Sequence, residues 1–209
     1  AMLLLVIVML CYRGMHLHSQ HRRIYTDLAV FLGVFSLWLV AAMRLIQILP
    51  VSLSVWRYLL LGCSYMMPIL GNLLIAEMVE WKWCRAVRFI ALVYGVIFGA
   101  VVVGELLGYT SMDMCLTFFY GWLAVSQPVA FLILLRSAWK GSAASQAFLV
   151  PAFGVPALGI ADGLGAHFRL YESPLYFMPL ASVLLAYFVA WLLWQGMKEE
   201  KELRAMNDD

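Results

Sequence analysis

The chain has 209 residues, 65% of them hydrophobic and only 12% charged, with a formal net charge of +2. Soluble domains carry roughly 25% charged residues, so this composition excludes a soluble globular protein and points to an integral membrane protein. The small net charge gives no electrostatic footprint for nucleic acid, and four scattered cysteines (Cys11, Cys63, Cys84 and Cys115) without a C-x-x-C pair form no evident disulfide or metal framework.

Seven apolar segments follow one another. The first covers residues 2–17. It has no basic stretch before it and no small-residue cleavage site after it, so it does not read as a cleavable signal peptide. Either it extends helically to about His18 with Arg13 snorkelling, or it begins upstream of Ala1. The second covers residues 25–49 and is closed by Pro50. The third covers 54–79, the fourth 86–108, the fifth 113–139 and the sixth 144–167. The seventh begins at Pro174, with an apolar run over 175–197. Such lengths suffice to cross a hydrocarbon core of about 30 Å at about 1.5 Å per residue. The loops are short, so neighbouring helices should run antiparallel and no soluble domain fits between them.

Basic residues set the expected orientation. Arg13, Arg22, Arg23, Lys82, Arg85, Arg88, Arg136, Lys140, Lys198, Lys201 and Arg204 fall on one side, eleven of the fourteen. Arg44, Arg57 and Arg169 fall on the other. The positive-inside rule places the larger group in the cytoplasm, the amino terminus outside and the carboxyl tail inside.

Four charged residues lie near the outer ends of segments: Arg44, Arg57, Glu105 and Asp162. Charge inside a span is costly, so such residues face a bundle interior or a cavity, or reach water by snorkelling. Two readings stand here: mutual ion pairs with snorkelling, or an outward-facing pocket. In the second reading these four, with Trp38 and Trp122 on the same half, are the candidate ligand-binding residues. Trp56, Tyr65, Tyr109 and Tyr171 share that half, as an interfacial aromatic belt would. Pro68, Pro128, Pro151, Pro156 and Pro179 interrupt spans, and Asn72 and Gln127 are candidate donors to the carbonyls that Pro68 and Pro128 leave free.

His16, His18 and His21 form a cluster beside Arg22 and Arg23. It reads as a solvated basic face, because no acidic or thiol ligand completes a metal set locally. The seventh span carries no Lys for a retinal Schiff base, and no mid-membrane His is placed to ligate haem. There is no G-x-S-x-G, H-E-x-x-H or paired mid-membrane carboxylate, so the chain reads as non-catalytic, with no cofactor. Segments one to three and five to seven show no repeat of the kind that builds small transporters.

The seventh segment runs without Pro or a turn cluster into the polar stretch 198–209. Leu192, Gly196, Glu199, Leu203 and Met206 are spaced four, three, four and three, the start of a heptad seam. The expectation is one helix that leaves the membrane and continues into water, with residues 1–197 as a membrane domain and 198–209 as the start of a linker cut from a longer protein. Gly196, Glu199, Leu203 and Met206 are the candidate relay residues.

Three stretches carry a family likeness. Arg22-Arg23-Ile24-Tyr25 resembles an Arg-rich turn that leads into a Leu/Phe-rich span. Gly159-Ile160-Ala161-Asp162-Gly163-Leu164 resembles an acidic element that ends helix six, and residues 202–209 resemble a linker into kinase or cyclase modules. With seven segments, the chain resembles the bacterial seven-transmembrane receptors with diverse intracellular signalling modules. It departs from them in showing no extracytoplasmic domain ahead of the first segment, which many members use to supply the ligand.

The resemblance implies an all-α seven-transmembrane bundle in the bacterial inner membrane. It would act as the input domain of a sensor histidine kinase or diguanylate cyclase, sensing a small or lipophilic ligand or the lipid bilayer itself and working as a homodimer in full-length form. A small transporter or channel is the competing expectation.

Overall fold

The computed structural model describes the backbone of residues 22–42, 52–167 and 178–207, and the side chains of residues 23–42, 52–158 and 179–198. The first segment, the histidine cluster, Arg44, Arg169 and Tyr171 lie outside the described residues. Those residues form six helices and no strand: α1 (Arg22–Ala42), α2 (Leu53–Met78), α3 (Trp81–Leu106), α4 (Met112–Trp139), α5 (Ala143–His167) and α6 (Met178–Asn207). They correspond to the second to seventh apolar segments. All but α5 are long and apolar enough to cross a membrane, and α5 contributes a shorter apolar helix, Ala143–Leu158. The chain is an all-α protein of the multi-pass membrane type.

Backbone chemistry at the helix ends makes the turns short. α3 and α4 both finish in a Schellman arrangement, with Gly108 (φ 74°) and Gly141 (φ 94°) in the left-handed region that a Cβ disfavours. Gly108 N donates to the Glu105 carbonyl at 3.1 Å and Tyr109 N to Gly104 at 2.9 Å. Gly141 N donates to Ala138 at 3.1 Å and Ser142 N to Ser137 at 3.3 Å. Between α2 and α3 only Val79 and Glu80 intervene, both extended, and the Glu80 carbonyl accepts from Trp83 N and Cys84 N to start α3. These connections make α2 to α5 alternate in direction. The α2–α3 and α4–α5 turns share one end of the bundle, and the α3–α4 turn lies at the other.

α2 is the hub, packing against α1, α3, α4 and α5, while α6 packs on α5. Apolar contact is little different from lipid contact in a bilayer, so close fit and interhelical hydrogen bonds decide which helices associate. One core unites Tyr25, Leu28, Leu32 and Phe35 of α1 with Leu74 of α2, Leu134 of α4, Phe148 of α5 and Leu185, Phe188 and Leu192 of α6. A second core joins α2, α3 and α4 through Tyr65, Tyr94 and Phe119, with Tyr65 and Phe119 centred 4.4 Å apart. Gly154 of α5 lets α6 approach closely, because a Cβ there would run into the Leu184 side chain.

The prolines are accommodated differently from expectation. Asn72 Nδ2 donates to the carbonyl of Pro68 itself at 2.7 Å. The carbonyl that Pro68 leaves without its helical donor is that of Ser64, four residues back. Gln127 lies close to the Tyr94 hydroxyl of α3. Both amides lie near their proline, as spacing indicates, yet where each reaches depends on which way its side chain leaves the helix.

Candidate functional site

At the end that holds the α3–α4 turn, the charged residues tie helices together. Arg57 of α2 makes an ion pair with Asp113 of α4, and both side chains remain largely exposed. The neighbouring Tyr58 hydroxyl donates to Glu105 Oε1 at 3.0 Å. Glu105 Oε2 in turn accepts from Met112 N, an orphan amide at the start of α4. A carboxylate there also complements the positive end of the helix dipole. Ser111 caps the same turn, its Oγ accepting from Met114 N at 3.4 Å, and the buried Tyr65 hydroxyl donates to the Met112 carbonyl at 3.0 Å.

Of the six candidate ligand residues, Arg57 and Glu105 are brought to one end, yet each is engaged by a partner outside the candidate set. Trp38 belongs to the α1–α2 contact: its Nε1 donates to Ser64 Oγ at 3.0 Å and its ring stacks on Phe35. Trp122 lies on α4, partly exposed, edge-on to Tyr94. Asp162 falls within α5, its side chain outside the described residues, as Arg44 is entirely.

Sequence reasoning passed over Asp113, Asp27 and Glu77. Asp113 stood at the edge of a segment and was counted as boundary. Asp27 and Glu77 lie within the terminal turns of their segments at the basic end, where the cations alone set the expectation. Arg88 Nη2 lies 2.7 Å from Glu77 Oε1, and the partly buried Asp27 lies within electrostatic range of Glu77, Arg88 and Arg23. Lys140 pairs with Glu80 at 3.0 Å, joining the α2–α3 turn to the end of α4. The buried Ser145 of α5 donates its hydroxyl to the Met78 carbonyl at 2.7 Å, which satisfies an acceptor left open where α2 ends. Ser142 reaches the same carbonyl at 3.4 Å.

Between the two ends, the Tyr94 and Ser126 hydroxyls share a hydrogen bond of 2.5 Å inside the second core. The Ser126 hydroxyl also lies 2.9 Å from the Trp122 carbonyl one turn earlier, so the pair ties α3 to α4.

The candidate relay residues lie on α6, which is helical from Met178 to Asn207 without interruption. Ala181, Leu185, Phe188, Leu192 and Gly196 are all buried. Their spacing of four, three, four and four puts them on one face, turned toward α1 and α5. The ring centroids of Phe188 and Phe148 are 4.7 Å apart, and the Tyr25 hydroxyl donates to the Leu192 carbonyl at 3.4 Å. Leu180, Val183, Tyr187 and Trp194 lie on the opposite, exposed face. The buried stripe therefore runs directly into the positions of Glu199, Leu203 and Met206, whose side chains lie outside the described residues. Leu192 is packed inside the bundle, so the seam begins as an intramolecular contact. No protein-family model, curated protein or solved structure matches this chain.

Proposed function

We propose that the chain is the transmembrane input domain of a bacterial signalling protein of the inner membrane. It would be a seven-span bundle with its amino terminus outside and its tail in the cytoplasm. The output module is a histidine kinase in the first instance, working as a homodimer, and the bundle itself performs no catalysis. The observation that carries this reading is the continuity of α6: thirty residues of unbroken helix in which the stripe packed against α1 and α5 leads straight into the polar tail.

The mechanism follows from that register. A ligand or a bilayer property that favours one of two packings of α6 turns the tail seam by the same angle, and so changes how two tails meet. The stimulus shifts that equilibrium only by its differential affinity for the two packings. The test is angular. Residues inserted between Gly196 and Met197 should switch output with the period of the helix. Output indifferent to them would make the tail a plain tether and move a transporter or channel function ahead.

A further inference from the structure

At the basic end the α2–α3 turn and the last turn of α4 enclose a shallow open cavity of about 610 Å³, lined by Glu80, Trp81, Lys82, Trp83, Arg136 and Lys140. Three cations face one carboxylate, a formal balance of +2. Lys140 is spent on Glu80 at 3.0 Å. The Arg136 guanidinium lies 5.5 Å from the centroid of the Trp83 ring. A cation–π contact does not consume the N–H donors of a guanidinium, whose fork geometry matches a phosphate. Arg85 lies over Trp81 in the same way. Trp81 and the nearby Trp139 are 70% and 81% exposed, unusual for indoles unless they sit where apolar chains meet headgroups.

We infer that this cavity binds the headgroup of an anionic phospholipid, with Lys82 and Arg136 holding the phosphate and the tryptophans holding the glycerol and upper acyl region. The cavity's openness and its exposed indoles favour a lipid over a soluble phosphate, which needs an enclosing set of donors. The site is independent of the signalling proposal and lies at the opposite end of the bundle from Arg57 and Glu105. Each cation near such a headgroup changes affinity by about fivefold.

The test is a titration of the detergent-purified chain with phosphatidylglycerol and with phosphatidylcholine of the same acyl chains. Bound lipid is counted by native mass spectrometry. The unmodified chain should prefer phosphatidylglycerol. Lys82→Gln and Arg136→Gln should each reduce that preference about fivefold, and Arg57→Gln at the far end should leave it unchanged. Lys82 is solvent-exposed, so its variant tests the site even if Arg136→Gln disturbs the packing of Trp83. No headgroup preference in the unmodified chain, or the same preference in Lys82→Gln, overturns the site. Displacement of the bound lipid by millimolar inorganic phosphate overturns the lipid assignment and leaves a site for soluble phosphate.

Discussion

Ser145 shows how a single hydroxyl holds two turns together. It is fully buried, donates to the Met78 carbonyl, and lies 3.0 Å from the Ser137 hydroxyl. Ser145→Ala removes the shorter of two donors to that carbonyl, leaving only Ser142 at 3.4 Å, together with the bonds to the Ser137 and Ser142 hydroxyls, a loss of about 1–3 kcal/mol. Arg57→Gln breaks an ion pair whose members are 64% and 44% exposed, and such a pair is worth about 0–1 kcal/mol. Thermal or denaturant unfolding in detergent should therefore rank Ser145→Ala well below Arg57→Gln in stability. The reverse order would make the exposed Arg57–Asp113 tie the stronger of the two.

The partner of Arg57 was not legible in the sequence, although its place near the end of a helix was. Distance from the end of a segment gives depth, while the angle around the helix and the neighbour it faces come only from packing. Asp113 is 56 positions away from Arg57, and nothing local marks the two as a pair.

Among the helices, boundaries were legible wherever apolar character and backbone geometry coincide. α4 and α5 begin one residue before the expected segments and end with them. α3 begins at Trp81, five residues ahead of the apolar run at 86, because Lys82 and Arg85 hide its first turn from a hydrophobicity reading. The Glu80 carbonyl, which accepts from Trp83 and Cys84, sets that start.

Close approach of α5 and α6 was not legible, since a glycine in a helix says nothing of what it faces. Gly154→Ala gains helix propensity of about 1 kcal/mol and loses a similar amount by displacing the Leu184 side chain. It should be near neutral alone and stabilising in a Leu184→Ala background. The double-mutant cycle should return a coupling of about 0.5–1 kcal/mol. Additive effects would mean that Leu184 does not limit the spacing of α5 and α6.

At the scale of the whole molecule, the all-helical build and the run of apolar helices could be read from composition and periodicity. The helix contacts could not, because helices that are apolar all round give no stripe from which to orient them. α6 is no different, since its buried face (Ala181, Leu185, Phe188, Leu192) and its exposed face (Leu180, Val183, Tyr187, Trp194) are both apolar, and the expected seam touches the packed stripe only at Leu192 and Gly196. The proposed orientation puts Tyr109 outside and Ala143 inside. With the native cysteines replaced, a membrane-impermeant thiol reagent on intact cells should label Tyr109→Cys, and Ala143→Cys only after permeabilisation. Labelling of Ala143→Cys from outside would invert the bundle.

The most direct measurement is a phase scan of α6. An output kinase module is joined after Asp209, and one to seven residues of helix-forming sequence are inserted between Gly196 and Met197. One residue rotates the tail by about 100°, and seven bring it back to within about 20°. If the bundle signals through the angle of α6, kinase activity should rise and fall with a period near 3.6 residues and return toward its starting level at seven. All variants should insert and fold alike, because the insertion point follows Gly196, the last buried position among the described residues of α6. Activity that stays flat across the series, or falls steadily with tail length, would contradict the relay helix.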